Sequence, residues 1–320
     1  MNDLPDNVLE VRDLRVDFTT LHGVTRAVRG VSFDLPRGKT LALVGESGSG
    51  KSVTSYSILR LIQKPGEIVG GQINFHPKNG RVTDIVQLSA KGEELYKIRG
   101  GKISMIFQEP MTALSPVHTV GDQVTEAILL HRNVDKKQAY EIAADMLARV
   151  GITQVQQRLK QYPFEFSGGM RQRVVIAMAL VCRPEILIAD EPTTALDVTV
   201  QAQILSLIRE LREQMNTSVL FITHDLGVVA QVADEVAVMR FGLIVERASA
   251  RNLFKMPLHP YTRELLRAAS LGRERELPPT EQVVQLPVGW QFEEPETGGE
   301  SRIFEVEPGR HLLMWKRGGA

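Results

Sequence analysis

Gly45-Glu46-Ser47-Gly48-Ser49-Gly50-Lys51-Ser52 is a complete G-x-x-x-x-G-K-[ST] phosphate loop. The apolar residues 41–44 precede it and predict a buried strand, and residues 53–62 are compatible with a helix. Such glycines let backbone N–H groups surround a phosphate, and the helix N-terminus adds positive dipole. Lys51 would reach the β- and γ-phosphates and Ser52 would ligate Mg²⁺. The alternative is that residues 45–52 form only a Gly/Ser-rich turn between a strand and a helix. Such a turn would not need Lys-Ser at the start of the helix.

Composition limits the possible function classes. The chain has 320 residues, with 38 Lys and Arg against 38 Asp and Glu, so no net charge favours nucleic acid or an anionic membrane. The single cysteine, Cys182, excludes a disulfide framework and a four-cysteine iron–sulfur site. Residues 1–7 lack a signal-peptide pattern, and no run of about 18 apolar residues predicts a membrane span.

Hydrophobic patterning divides the chain into segments. Residues 8–40 alternate apolar and polar side chains, which predicts short antiparallel strands. Residues 118–165 carry apolar residues at helical spacing and predict a helical insertion. Apolar runs at 185–190 and 218–223 flank an amphipathic helix, and strands alternating with helices predict a parallel α/β sheet. Residues 273–301, rich in Glu, Pro and Gly, have the composition of a linker or mobile surface segment.

Asp190-Glu191 ends the apolar run at 185–190, about 140 positions after the phosphate loop. In a parallel sheet, ligands bind at the carboxyl ends of the strands. We therefore expect Asp190 to hold Mg²⁺ and Glu191 to orient and deprotonate the attacking water. Taken alone, the pair could equally be a solvent-facing acidic turn.

Ser167-Gly168-Gly169 leads into a helical segment and predicts a second anion site, with Ser167 as N-cap and N–H groups exposed. Taken alone it is more simply a capped helix. One chain would then carry two phosphate-binding helix starts for one nucleotide.

These motifs together resemble the ATP-binding cassette (ABC) ATPases. The resemblance covers about residues 8–270 and rests on motifs that occur in the family's order: the phosphate loop at 45–52, Gln108, Ser167-Gly168-Gly169, Asp190-Glu191, Ala195-Leu196-Asp197 and His224. It implies a P-loop ATPase core with a parallel sheet, an N-terminal antiparallel β subdomain, an inserted helical subdomain and a small C-terminal extension. It also implies an ABC ATPase domain at 8–250, with the helical subdomain at about 112–165, and an importer-type extension at 251–320.

The resemblance also implies a role for each motif. Ser167, Gly168 and Gly169 of one subunit would close over the ATP held by the other subunit, and Asp197 would lie in the D-loop that bridges the two. His224 would contact the γ-phosphate, and Gln108 would sense Mg²⁺ and the attacking water. Phe18 matches the aromatic that stacks on adenine, or it is a core residue of its strand.

Several stretches narrow the resemblance to the peptide/nickel importer branch. They are residues 162–173, 190–201, 223–226 and His259-Pro260-Tyr261-Thr262. Many members carry a cysteine cluster after the last of these, which binds iron–sulfur. This chain has no cysteine after Cys182, so we expect no such cluster.

The sequence therefore predicts the ATP-hydrolysing subunit of an ABC importer, with ATP and Mg²⁺ as cofactors. Its expected partners are a paralogous or identical ATPase, two transmembrane permeases and an extracytoplasmic solute-binding protein, at the cytoplasmic face of a prokaryotic membrane. The solute would be peptide, oligosaccharide or nickel. The alternative, a non-transport ABC ATPase acting on DNA or ribosomes, lacks the expected zinc fingers, coiled coils or second cassette. Every nucleotide motif precedes Asp225, so we expect residues 275–320 to be dispensable for hydrolysis. Their aromatic and aliphatic residues, Trp290 and Phe292 among them, are expected to form small strands that pack on the same chain or on a partner subunit.

Overall fold

Two β-sheets and the helices around them form the architecture. It was obtained as a computed structural model that describes residues 6–108, 113–194, 196–269, 277–295 and 299–317. The strands, in chain order, are β1 (Asn7–Thr20), β2 (Gly23–Pro36), β3 (Thr40–Val44), β4 (Gly66–Phe75), β5 (Thr83–Asp84), β6 (Ile103–Ile106), β7 (Ile186–Asp190), β8 (Ser218–Thr223), β9 (Glu235–Arg240), β10 (Leu243–Ser249), β11 (Trp290–Gln291), β12 (Ser301–Glu307) and β13 (Arg310–Lys316).

The helices alternate with the later strands, as the patterning predicts. They are α1 (Lys51–Ile58), α2 (Glu93–Ile98), α3 (Val120–His131), α4 (Lys136–Arg149), α5 (Val155–Arg158), α6 (Gly168–Leu180), α7 (Val198–Met215), α8 (Leu226–Val232), α9 (Ala250–Lys255), α10 (Pro260–Ala269) and α11 (Thr280–Val283), with 3₁₀ turns at Ile85–Gln87 and Pro163–Glu165. No helix in the described ranges is both long enough and apolar enough to cross a membrane.

The larger sheet positions the site. Its strands follow the order β11-β13-β10-β9-β3-β8-β7-β6, with β12 also paired to β13. The strands from β9 to β6 pair in parallel, so their carboxyl ends lie along one edge. The predicted parallel α/β core is confirmed.

The predicted N-terminal antiparallel subdomain is a four-stranded sheet in the order β2-β1-β4-β5. The alternation along β1 shifts register between Val11 and Leu14. Asp13 has a φ of 46° there, and its N–H donates to Ser32 Oγ over 2.8 Å. This bulge lets Val11 and Leu14 both face the core, where both are fully buried.

Three apolar clusters hold the layers together. One packs α3, α4, α6 and α7 against one face of the larger sheet. A second lies between the opposite face and the antiparallel sheet. A third packs α8, α9 and α10 on β9 and β10. The helices α3 to α5 lie within the range expected for the helical insertion.

The C-terminal segment joins this core. β13 pairs with β10, and the β12–β13 hairpin extends the larger sheet. The linker or mobile surface segment expected at 273–301 is wrong for Val284 and Phe292, while the expected packing of apolar residues from 275–320 on the same chain is confirmed for the residues described. Val284 and Phe292 pack in a small cluster with Leu258 and Leu312. Their apolar neighbours Val283, Leu286 and Trp290 form no helical or strand period with them, so periodicity does not mark this cluster.

A buried ion pair ties the hairpin to the core. Arg310 Nη2 lies 3.2 Å from Glu246 Oε1, and the side chains are 4% and 0% exposed. The Glu246 carboxylate also accepts the N–H groups of Leu258 and His259 over 3.0 and 2.9 Å. Removing one partner of such a pair leaves an uncompensated buried charge.

We predict that Arg310→Met lowers the free energy of unfolding by roughly 3–5 kcal/mol, because Glu246 loses its counter-charge. The matched control is Lys316→Met, which breaks the 3.3 Å pair with Glu300 where both side chains are more than 60% exposed. That change should cost under about 1 kcal/mol. Urea unfolding of the two variants measures both, and equal losses would contradict the assignment.

Candidate nucleotide site

Four adjacent strands bring the predicted site residues together. β3 pairs with β8, β8 with β7, and β7 with β6, all in parallel. The loop at 45–52 follows β3, and Asp190 ends β7 with Glu191 next. His224 follows β8, and Gln108 lies two residues beyond β6. The site is therefore at the carboxyl edge of the sheet, as expected for a nucleotide.

The phosphate loop is packed closely at its end. Gly50 is the N-cap of α1 with a φ of 103°, a conformation that L side chains rarely adopt. A Cβ there would lie 2.5 Å from the carbonyl oxygen of Ala27 on β2. Glycine is required by both the dihedral angle and the close approach. Because the backbone turns here, α1 begins at Lys51 with its N–H groups directed at the loop.

Lys51 folds back onto its own loop. Its Nζ donates to the carbonyl oxygens of Gly45 and Glu46, each over 2.8 Å. Burial lowers the pKa of Lys51, against the opposing attraction of Glu191 and Asp190. The ammonium is thus satisfied by the protein and lies beside two carboxylates.

Asp190 and Ser52 form the second part of the site. Ser52 Oγ donates to Asp190 Oδ1 over 3.3 Å. Asp190 Oδ2 is buried without a hydrogen-bond partner. Burial raises the pKa of Asp190 to about 6, although the Ser52 hydrogen bond opposes the shift. A hydroxyl and an unpartnered carboxylate oxygen are the donors that Mg²⁺ prefers, so these residues fit the ion.

Glu191 is the hub of the third part. His224 Nδ1 lies 3.0 Å from its Oε1, while Gln108 Nε2 and Thr194 Oγ1 donate to its Oε2 over 3.2 and 3.0 Å. Burial opposes ionisation, but the hydrogen bonds from His224 and Thr194 outweigh it and lower the pKa of Glu191. The carboxylate is held ionised at neutral pH.

The backbone of Glu191 is also unusual. Its φ is 47°, a left-handed conformation that is uncommon for a residue with a branched or long side chain. Its N–H donates to Ile222 O of β8 over 2.9 Å, which holds this conformation in place. Strained residues held in this way cluster at functional sites. The Glu191 carboxylate is thus fixed, partly buried, at the tip of β7.

The second predicted anion site lies apart from the first. Ser167 caps α6 by accepting the N–H of Met170 over 3.4 Å, and Asp197 caps α7 by accepting that of Val200 over 2.9 Å. The two helix starts are neighbours, since a Cβ on Gly169 would lie 3.1 Å from Val200 Cγ1. Ser167, Gly168 and Asp197 are exposed. Within the described part of the chain, no hydrogen bond or ion pair joins them to the loop at 45–52.

Phe18 lies on β1, where it pairs with Thr25 and Gly66. Its ring is half-buried and packs against the second apolar cluster. A Cβ on Gly66 would lie 2.6 Å from the ring, so glycine makes room for it. The adenine-stacking role stays a prediction.

Two polar contacts to the site were not predicted. Thr194 donates to Glu191, and the hydroxyl of Tyr261 accepts the N–H of Glu46 in the phosphate loop over 3.2 Å. Tyr261 belongs to the segment 259–262, which in the sequence indicates only a resemblance to the peptide/nickel importer branch. No local pattern indicates that it reaches a loop more than 200 residues away.

Comparison with known proteins agrees with this geometry. Residues 28–194 match the family model described as ABC transporter. The chain is 56% identical over 262 residues to the dipeptide transport ATP-binding protein DppD of Bacillus subtilis, covering 82% of this chain and 76% of that protein. It is 48% identical to the probable peptide ABC transporter ATP-binding protein y4tR of Sinorhizobium fredii, covering 98% and 96%.

Solved structures show the same architecture. The dimeric post-hydrolysis state of the ATP-binding cassette MJ0796, bound to ADP and Pi, superposes with a TM-score of 0.66 at 25% identity. The match covers 76% of this chain and 99% of that one. The phosphate loop, the acidic strand tip and these relatives lead to one conclusion: this chain belongs to the ABC transporter family and is one of its ATP-hydrolysing, ATP-binding subunits.

Proposed function

We propose that this chain powers the uptake of peptides through partner permeases, as one of two ATPase subunits of an importer. The observation that carries the proposal is the 56% identity to a dipeptide transport ATP-binding protein, together with 54% identity over 260 residues to the oligopeptide transport protein OppD of Bacillus subtilis. We assign residues 8–250 to the ATPase domain, about 112–165 to its helical subdomain and 251–320 to an importer-type extension.

We assign the triphosphate to the loop from Gly45 to Ser52. Its N–H groups and Lys51 would bind the phosphates, after Lys51 exchanges the carbonyls of Gly45 and Glu46 for phosphate oxygens. Ser52, Asp190 and Gln108 would hold Mg²⁺, which when bound neutralises charge on the phosphates. The unpartnered Oδ2 of Asp190 supports this assignment.

Glu191 is the proposed general base. Its ionised carboxylate would accept a proton from the attacking water, which it orients by a hydrogen bond. His224 and Gln108 hold this carboxylate now, through the 3.0 and 3.2 Å contacts, and both can reorient toward the phosphates because their side chains are exposed. Phe18 would stack on the adenine.

The N-termini of α6 and α7 expose Ser167, Gly168 and Asp197. These exposed helix starts favour a second subunit that would bind there. A capped helix start can serve as an anion site, and among the residues that the structure describes no hydrogen bond or ion pair joins this one to the phosphate loop. We propose that it completes the ATP site of an identical or paralogous cassette. Two permeases and an extracytoplasmic binding protein would complete the transporter, with this chain at the cytoplasmic face of the membrane.

Glu191→Gln should slow ATP hydrolysis by about a hundredfold or more, because a positioned general base is lost, while nucleotide binding persists. In cells that depend on this transporter, uptake of a labelled tripeptide should fall with it. Glu210→Gln, on the exposed face of α7, is the control and should change neither.

The hydrolysis rate and the peptide uptake of Glu191→Gln test different parts of the proposal. Wild-type hydrolysis in Glu191→Gln would reject the base assignment. Undiminished peptide uptake in a variant that no longer hydrolyses ATP would reject the proposed transport role and leave the ATPase assignment intact.

Ser167→Arg should reduce hydrolysis in the assembled pair with little effect on the affinity of the isolated chain for MgATP. The reason is that Ser167 is expected to face the partner's nucleotide, far from its own loop. Calorimetric titration of the isolated chain and turnover of the pair measure the two effects. A matched loss of affinity in the isolated chain would count against the two-subunit site.

Asp190→Asn should stabilise the nucleotide-free protein at pH 7.5 by on the order of 1–3 kcal/mol, because it removes a buried, disfavoured charge. The folded-state pKa is raised, so the benefit shrinks as the pH falls from about 6 toward 4, where the native carboxyl is already protonated. Asp197→Asn, an exposed cap that Asn also satisfies, should be nearly neutral. Calorimetry at both pH values tests this, and a destabilised Asp190→Asn protein would contradict it.

A further inference from the structure

The phosphate loop has an attachment outside the ATPase core. Glu46 is the second residue of the loop, and its N–H donates to the hydroxyl of Tyr261 over 3.2 Å. Tyr261 lies on α10, in the extension that follows the ATPase domain. The carbonyl oxygen of Glu46 accepts a hydrogen bond from Lys51 Nζ. The Glu46 carbonyl is therefore held by Lys51 and by the Ser49 N–H of the loop, while the Glu46 N–H is held by the extension.

Tyr261 is itself fixed in position. Its side chain is 3% exposed, and the Arg240 guanidinium lies 4.6 Å from the ring centroid. Its N–H donates to Nδ1 of the buried His259 over 3.1 Å. Burial raises the pKa of Tyr261, so the hydroxyl stays neutral across the physiological range. Because the Tyr261 ring is buried and held by its neighbours, its hydroxyl has a fixed position from which to accept the Glu46 N–H.

The support continues into the C-terminal hairpin. Glu246 accepts the N–H groups of Leu258 and His259 and pairs with Arg310 of β13. Thr280 Oγ1 donates to Leu258 O over 2.6 Å. The segment that carries Tyr261 is thus held by Glu246, which precedes it in the chain, and by Thr280 and Arg310, which follow it. This gives residues beyond 275 a connection to the nucleotide site that their place in the sequence does not predict.

On the basis of the nucleotide assignment proposed above, we propose that Tyr261 is a positioning residue for nucleotide binding, which holds the entry of the phosphate loop when Lys51 leaves it for the nucleotide. When Lys51 turns to phosphate, the Gly45 and Glu46 carbonyls lose their shared donor. The Tyr261 hydroxyl is then the contact from the extension that keeps the Glu46 peptide in place. Tyr261 touches neither the phosphates nor the reacting water in this scheme, so its effect falls on affinity and leaves the chemical step unchanged.

The test is Tyr261→Phe in the full-length chain, which keeps the ring and its contact with Arg240 and removes only the hydroxyl. The dissociation constant for MgADP should rise about fivefold, the effect of one neutral hydrogen bond. The turnover rate of the assembled transporter at saturating MgATP should stay within twofold. Hydrogen exchange at the Glu46 amide should accelerate in the nucleotide-free chain.

Tyr140→Phe, on α4 in the helical layer, is the matched control and should change none of these values. The melting temperature of both variants separates a general loss of stability from a local one. An MgADP dissociation constant within twofold of wild type would overturn the proposal. So would a tenfold fall in turnover at unchanged affinity, because it would place Tyr261 in the chemical step.

Discussion

The placement of β3 between β8 and β9 is the constraint on which the rest of the structure depends. Both pairings are parallel, so the chain must leave β3 at the same edge where it leaves β8 and β9. The residues that follow these strands are then neighbours, whatever their separation in sequence. Because β7 pairs with β8 in the same direction, Asp190 at the end of β7 contacts Ser52, although no local sequence pattern links the two positions.

The edge of the sheet formed in this way is polar and partly buried. The pKa values of its two acidic residues are shifted in opposite directions. Asp190 is buried with one oxygen unpartnered, which disfavours its charge in the nucleotide-free protein. Glu191, one residue later, makes three hydrogen bonds, and those with His224 and Thr194 lower its pKa. Two adjacent carboxylates with pKa values moved in opposite directions are suited to different tasks. One can gain a cation, and the other can accept a proton.

Much of this was predictable from the sequence because it rests on local chemistry. The phosphate loop needs glycine where φ is positive, and Ser167 sits where an N-cap is required, so both leave a pattern of a few residues. The parallel core follows from the alternation of strand and helix. What escaped prediction is non-local. The Glu246–Arg310 pair spans 64 positions and the Tyr261 contact 215, and a single buried Glu or Tyr has no periodicity to mark it. The packing of Phe292 was expected from its aromatic side chain, whereas the burial of Val284 depends on contacts with Leu258 and Leu312 that no local pattern indicates.

The folded-back Lys51 has a consequence for selectivity. Its ammonium already has two acceptors in the protein, so an arriving anion does not meet a free cation. Binding is an exchange, and an anion is retained only when its contacts exceed those it displaces. A small anion such as inorganic phosphate offers a few oxygens and no adenine, whereas a nucleoside triphosphate bound as proposed would engage the loop, the lysine and the helix start together. If Lys51 binds phosphate as proposed, its contacts with the loop carbonyls would set a threshold of binding energy that a small anion must exceed.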